Sequence, residues 1–424
     1  MSKRQTSFNS NLRNAFVSVS LLIVVVAVGV VYMLHVFEMK GVNKNLIASV
    51  SQGATATPDV EVPLKPIVTH VATPDAVKGI YMSSWVGGVQ KLRNHIIELV
   101  DSSEVNSIVI DIKDATGKVA FTTDDASLNA VGCIENRIPD IKDFIKELHE
   151  KNIYVIGRVS TFQDPCFVAK HPELAVKTQD GLRVWKDRKG ISWIDAGAKE
   201  AWDYNVQIAK ASHDIGFDEI NFDYIRFPSD GNMKDISFPY SGTKSKPLVI
   251  REFFQYLDAE LHSQPIIAST VGTTTPQKAD PRKDDKGNLI ENITISADLF
   301  GMVTTNKDDL GIGQVLENAL PYVDFVSPMV YPSHFPATWN GIPNPAAKPY
   351  DVIHISMKRA AERATAMGID VHKLRPWLQE FNLGAVYTAD MIRAQMQATY
   401  DVGLNSWLIW NPSNKYNASA YLPN

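Results

Sequence analysis

Ligand spacing of the zinc type is missing from this chain. Its ten histidines form no H-x-H or H-x-x-x-H pair, and its only two cysteines, Cys133 and Cys166, stand 33 positions apart. A zinc site therefore has no local nucleus. No G-x-x-x-x-G-K-[ST] phosphate loop and no G-x-S-x-G nucleophile turn is present, which leaves phosphate-loop chemistry and acyl transfer without support. Excess positive charge is lacking too: the net charge of -5 offers no basic face, so no nucleic-acid partner is expected. An all-carboxylate magnesium or calcium site leaves no motif and stays open, and no cofactor is expected. The two cysteines could form one disulfide or remain two buried thiols, because sequence does not give the separation a bridge requires.

What is present is a globular composition, 45% hydrophobic and 21% charged over 424 residues, long enough for a barrel of about 250 to 350 residues with accessories. Residues 16–37, FVSVSLLIVVVAVGVVYMLHVF, form a 22-residue apolar run, which at ~1.5 Å per residue crosses a ~30 Å hydrocarbon core. Lys3, Arg4 and Arg13 precede it, with no acidic residue among the first 37, so the expected topology is a cytoplasmic N-terminus (1–15), a transmembrane helix (16–37) and an extracytoplasmic remainder in the cell envelope. A cleaved signal is the competing reading, with Ala54-Thr55-Ala56 far downstream of the run as its small-x-small site. Residues 38–77, with four prolines, read as a linker.

From Gly79 onward short apolar runs alternate with helical periods, the pattern of repeated βα units. Eight strands are expected at 79–85, 107–113, 153–160, 218–226, 265–271, 324–331, 374–381 and 406–411. Ile141, Phe144, Ile145 and Leu148 keep helical spacing between them, as do Trp202, Val206 and Ala209, and Ile392, Met396 and Thr399. Eight strands, with no glycine-rich turn after the first, predict an α/β fold of the (β/α)8 TIM type over 78–424 rather than an open doubly wound sheet. Two long polar stretches, 228–246 and 272–300, follow strand ends, where loops build active sites.

The segment GFDEINFDYIRFPSDG (216–231) carries most of the chemistry. If Ile220, Phe222 and Tyr224 face the helices, the period of two sends Glu219, Asn221 and Asp223 into the barrel. Asp223 then stands near the rim, where an unpaired carboxylate is costly. Arg226 could reach it only if the strand has begun to turn. A structural ion pair closing the strand is the alternative reading of these two residues.

The blocks GIYMSSW, VIDIKDATG, FDYIRFPSDG, SADLFG, GIGQ, YVDFVSPMVYPSHF, RPWLQEF and WLIWN, in this order over residues 78 to 418, resemble the bacterial family of putative glycosyl hydrolases. The resemblance implies a barrel of the TIM-type glycosidase superfamily, related to the alpha-amylase and alpha-galactosidase groups. There an aspartate ending the fourth strand is commonly the nucleophile, and Asp223 matches that position. The acid/base implied is Asp298 in SADLFG or, second, Glu380 in RPWLQEF, where the family more usually carries aspartate. Two carboxyl groups, one protonated and one ionised, are what glycosyl transfer needs. Asp111 and Asp114 are further candidates, though a loop or helix cap accounts for each.

Sugar recognition needs aromatic platforms and planar polar groups. Trp85, Trp377 and Trp410 lie at strand ends and Trp185 and Trp193 after the third strand, each also readable as core. Arg158, Tyr331, His334 and Gln379 share the predicted rim and, with Arg226 and Asp111, are expected to contact the substrate. The sequence thus predicts a glycoside hydrolase or transglycosidase acting on a cell-envelope or extracellular polysaccharide, tethered by one N-terminal helix; a catalytically inactive glycan-binding barrel is the alternative.

Overall fold

The computed structural model describes residues 68–262 and 292–424. Eight parallel strands close on themselves in sequence order, β1 pairing with both β2 and β8. They are β1 Lys78–Met82, β2 Ser107–Lys113, β3 Tyr154–Ser160, β4 Glu219–Asp223, β5 Thr294–Phe300, β6 Phe325–Met329, β7 Trp377–Gln379 and β8 Trp407–Trp410. The (β/α)8 barrel expected from the repeating pattern is therefore what the chain forms. One strand differs. The fifth is Thr294–Phe300, paired to β4 and β6, whereas 265–271 lies outside the described residues. Asp298 accordingly stands within a strand and not on a loop beyond one. The transmembrane expectation for 16–37 also lies outside the described residues; among these, no helix is long and apolar enough to cross a membrane.

Helices Gln90–Asp101, Ile141–Glu150, Lys199–His213, Lys246–Leu261, Pro349–Ala366 and Ala389–Asp401 cover the barrel. Their apolar stripes decide this: Ile141, Phe144, Ile145 and Leu148 are all buried, as are Trp202, Val206, Ala209, Ile392, Met396 and Thr399. At ~25 cal/mol per Å², such stripes dominate the stabilisation.

The barrel interior is a second, smaller apolar cluster that includes Tyr81, Val109, Tyr154, Ile156, Tyr331, Trp377 and Leu408. Gly79 makes room in it, since a Cβ there would lie 2.6 Å from Leu408 Cδ2. Below this layer Glu219 takes hydrogen bonds from both terminal nitrogens of Arg375 and from the hydroxyls of Ser296 and Tyr154. Glu219 and Arg375 are both wholly buried. Bonded at every point but Arg375 Nε, this buried ion pair is tolerated; opened on one side it would cost about 3 to 5 kcal/mol. The segment leading into β1 is fastened across this lower end: Val71 donates its N–H to Asp218 at 2.8 Å, and the Thr73 and Tyr154 hydroxyls bond at 3.0 Å.

On the upper side, Cys133 and Cys166 form a disulfide with Cα atoms 5.9 Å apart. It joins the loop after β2 to the short helix Pro165–Lys170 after β3, which closes the question the sequence left open.

Candidate active site

At the C-terminal ends of the strands, alternation along each strand puts side chains of β2, β3, β4 and β5 into one buried group. Arg158 on β3 is its centre. Its Nη1 donates to Asp111 Oδ1 at 2.7 Å, its Nη2 to Asp223 Oδ2 at 2.5 Å and its Nε to the same oxygen at 3.2 Å. Asp298 Oδ2 lies 3.9 Å from Nε. One guanidinium thus serves three carboxyl groups.

Each acid has its own surroundings. Asp111 also accepts the Tyr81 hydroxyl at 2.5 Å; burial raises its carboxyl against the opposing pull of Arg158. Asp223 Oδ1 takes the N–H of Tyr224 at 2.5 Å. That contact exists because Tyr224 adopts the left-handed region, φ 53°, which ends β4 and folds its N–H back over the carboxylate. Asp298 Oδ1 accepts from Asn221 Nδ2 at 2.9 Å and from the Trp377 indole at 2.7 Å. Burial, then the negative charge of Asp223, push the Asp298 carboxyl up to about 8.

Around this group stand aromatic rings. Trp410, half-buried, stacks on Tyr81 with centroids 3.9 Å apart, and Arg158 Cζ lies 5.0 Å from its ring. Tyr331 is buried and meets His334 and Phe381 edge to face at 5.3 and 5.6 Å. His334 itself is exposed. Trp85 is 59% exposed, with Arg137 Cζ 4.3 Å from its ring.

Other residues singled out from sequence stand elsewhere. Glu380 turns to the opposite side of β7 from Trp377 and Gln379, accepting the Asn417 N–H and the Tyr421 hydroxyl. Burial raises its carboxyl to about 7, but it bonds to none of Asp223, Asp298 or Arg158; it holds the C-terminal segment. Gln379 is spent on the backbone, accepting from Ser333 and donating to Phe381. Trp377 is wholly buried and orients Asp298, so it has no open face. Asp114 caps Thr116 and pairs with Arg137, as a loop cap would. Trp185 and Trp193 are core residues of the β3 loop. The chain does turn after Asp223, but the cation on Asp223 is Arg158; Arg226 donates to Phe227 O and Ser229 Oγ instead. Sequence reasoning assigned Arg158 only a rim hydrogen bond, and Tyr81 no part. Arg158 stands two positions and Tyr81 one position inside the end of a strand whose apolar run hides it, and the signal is the inward phase they share with Val109 and Ile156.

An acidic pair set against aromatic walls at the carboxyl end of a barrel suits the chemistry of acetals. No curated protein matches the chain in sequence. A hypothetical protein of known structure from Ruminiclostridium thermocellum is 37% identical over 42% of this chain and 90% of its own, with a TM-score of 0.39. The glycoside hydrolase domain of PgaB (BpsB) from Bordetella bronchiseptica is similar in fold, with a TM-score of 0.55 over 82% of this chain and 99% of its own at 11% identity. A class V chitinase from Nicotiana tobaccum covers 81% of this chain and 97% of its own at 9% identity, with a TM-score of 0.43. The family model described as a putative glycosyl hydrolase domain matches residues 79–282 and 285–416, most of the sequence, and the chain belongs to that family.

Proposed function

We propose that this glycosyl hydrolase domain cleaves a glycosidic bond in a cell-envelope or extracellular polysaccharide by double displacement, with Asp223 as nucleophile and Asp298 as acid/base. The supporting observation is that carboxyl groups from adjacent strands meet at Arg158 in different surroundings. Asp223 is the ion-pair partner of Arg158, while Asp298 has a carboxyl raised to about 8 and keeps its proton at neutral pH. Opposed environments of this kind assign the roles of acid and nucleophile.

In the first step Asp223 bonds to the anomeric carbon as the bond to the leaving sugar breaks, and the Asp298 proton passes to the departing oxygen. In the second, Asp298 takes a proton from water, whose oxygen displaces Asp223. Legs of 3.2 and 3.9 Å from Arg158 Nε to the two acids keep the facing oxygens within about 7 Å of each other, which accommodates the ~5 to 5.5 Å separation of retaining enzymes and only the lower end of the ~6.5 to 9.5 Å range of inverting ones. Trp410, Trp85, Tyr331 and His334 would line the sugar path, and Asp111 would hold Arg158 in place. The apolar run 16–37 would tether the barrel outside the membrane.

The test is hydrolysis of polysaccharides and aryl glycosides by the full chain and by Asp223→Asn, with the anomer of the first product read by NMR. Turnover with retention that vanishes in the variant supports the reading. Undiminished turnover in the variant removes Asp223 from it, and binding without turnover on every substrate favours a silent glycan-binding barrel.

A further inference from the structure

Arg226 is the cation this chemistry does not use. Its guanidinium lies against two rings, with Cζ 4.8 Å from the Trp193 centroid and 5.3 Å from that of Tyr224. Nη1 is committed to Phe227 O at 3.1 Å and Ser229 Oγ at 3.3 Å. Nε and Nη2 bond to no described residue, and neither is among the sealed, unpartnered polar atoms of the described residues; the side chain is half-buried, and burial lowers its pKa. Asp223, Asp230 and Asp187 act on Arg226 electrostatically, yet none forms an ion pair with it. Asp223 belongs to Arg158, and Asp187 is occupied by the N–H groups of Lys189, Ile191 and Trp193. A planar, immobilised guanidinium with a free Nε–Nη2 edge is the geometry that takes a carboxylate in a bidentate manner.

A second feature at the same edge agrees. The loop after β3 folds into an arm whose strands bridge at Lys177 and Val184 and at Lys186 and Ser192. It is locked to the β4 loop by Trp185, whose indole donates to Asn232 O at 3.1 Å and whose ring would lie 2.6 Å from a Cβ on Gly231. Arg183, Lys186, Arg188 and Lys189 on this arm are exposed, and none forms an ion pair with a described residue. With Lys177 they make five basic residues against two acidic ones, Asp180 and Asp187, over 177–192, a local positive field in a chain of net charge -5 that draws in a polyanion.

We infer that the substrate is an acidic polysaccharide, one of whose sugar carboxylates docks on the Nε–Nη2 edge of Arg226 while the chain continues across the cationic arm. This rests on the hydrolase reading of the neighbouring carboxyl pair and narrows it to one substrate class. A phosphodiester polymer offers a competing anion.

The experiment measures binding of the full chain, silenced as Asp223→Asn, to polygalacturonate, alginate and hyaluronan, to the carboxyl-reduced form of each, and to a glycerol phosphate polymer. At least one carboxylated glycan is expected to bind about tenfold more tightly than its reduced form. Arg226→Gln should bring that ratio near one at an unchanged melting temperature, and Arg226→Lys should restore only part of it. Equal affinity for every carboxylated and reduced pair, a ratio that survives Arg226→Gln, or preference for the phosphate polymer would each overturn the inference. Tight carboxylate-dependent binding with no cleavage by the wild-type chain would keep the Arg226 assignment and sink the hydrolase reading. Cleavage of neutral glycans alone, indifferent to Arg226→Gln, would do the reverse.

Discussion

Trp377 donates its indole N–H to Asp298 Oδ1 over 2.7 Å, and Asn221 donates to the same oxygen. With Oδ1 accepting twice, the proton of a neutral Asp298 belongs on Oδ2, the oxygen on the Arg158 side. The indole bond stabilises the ionised acid, so losing it must raise the Asp298 pKa. Trp377→Phe keeps most of the packing and removes a hydrogen bond to a carboxylate, worth about 1.5 to 3 kcal/mol. The alkaline limb of kcat/KM should move up by about one to two pH units, as read from a pH profile of aryl glycoside hydrolysis.

The raised Asp298 carboxyl also couples stability to pH. Its folded value, about 8, lies above the ~4 of an unfolded aspartate. Its contribution is therefore fully present below about pH 4 and is lost as pH rises toward and through 8. Asp298→Asn carries no such titration. Melting temperatures from pH 5 to 9 should shift steadily in favour of the variant, while its turnover stays low throughout.

For Asp223→Ala, turnover should fall by about 10³-fold or more, since a covalent step cannot be made without its nucleophile. Added azide should restore part of it and give a glycosyl azide of inverted configuration. Rescue with retained configuration would show that another residue forms the covalent bond.

Reducing the Cys133–Cys166 bridge, which spans a sequence separation of 33, should lower stability by about 3 to 4 kcal/mol through the freedom returned to the unfolded chain. The urea midpoint with and without reductant measures this, and Cys133→Ser/Cys166→Ser should lie at the reduced value in both conditions.

Seven of the eight strands were legible because their outward faces are apolar and their neighbours are punctuated by turns. The fifth was not. In Thr294–Phe300 the inward residues Ser296 and Asp298 are polar because they serve the barrel interior, and they break the run that periodicity seeks; 265–271 carries the longer apolar run. Asp223 and Asp298 could be named from the phase of β4 and from family resemblance. That Arg158 joins them could not, because sequence does not say which of several inward charges meet across a barrel. Glu380 stands apart from this group for a related reason. It is one residue out of phase with Trp377 and Gln379, and a single step along a strand reverses the direction of a side chain.

Tyr224 holds φ 53°, a conformation that costs a residue with a side chain about 1 kcal/mol or more. Glycine would relieve that cost while setting the adjoining backbone free. The chain thus gives up some resistance to heat for a rigid amide aimed at Asp223, and selection for thermal hardiness alone would be expected to erode turnover first at this position.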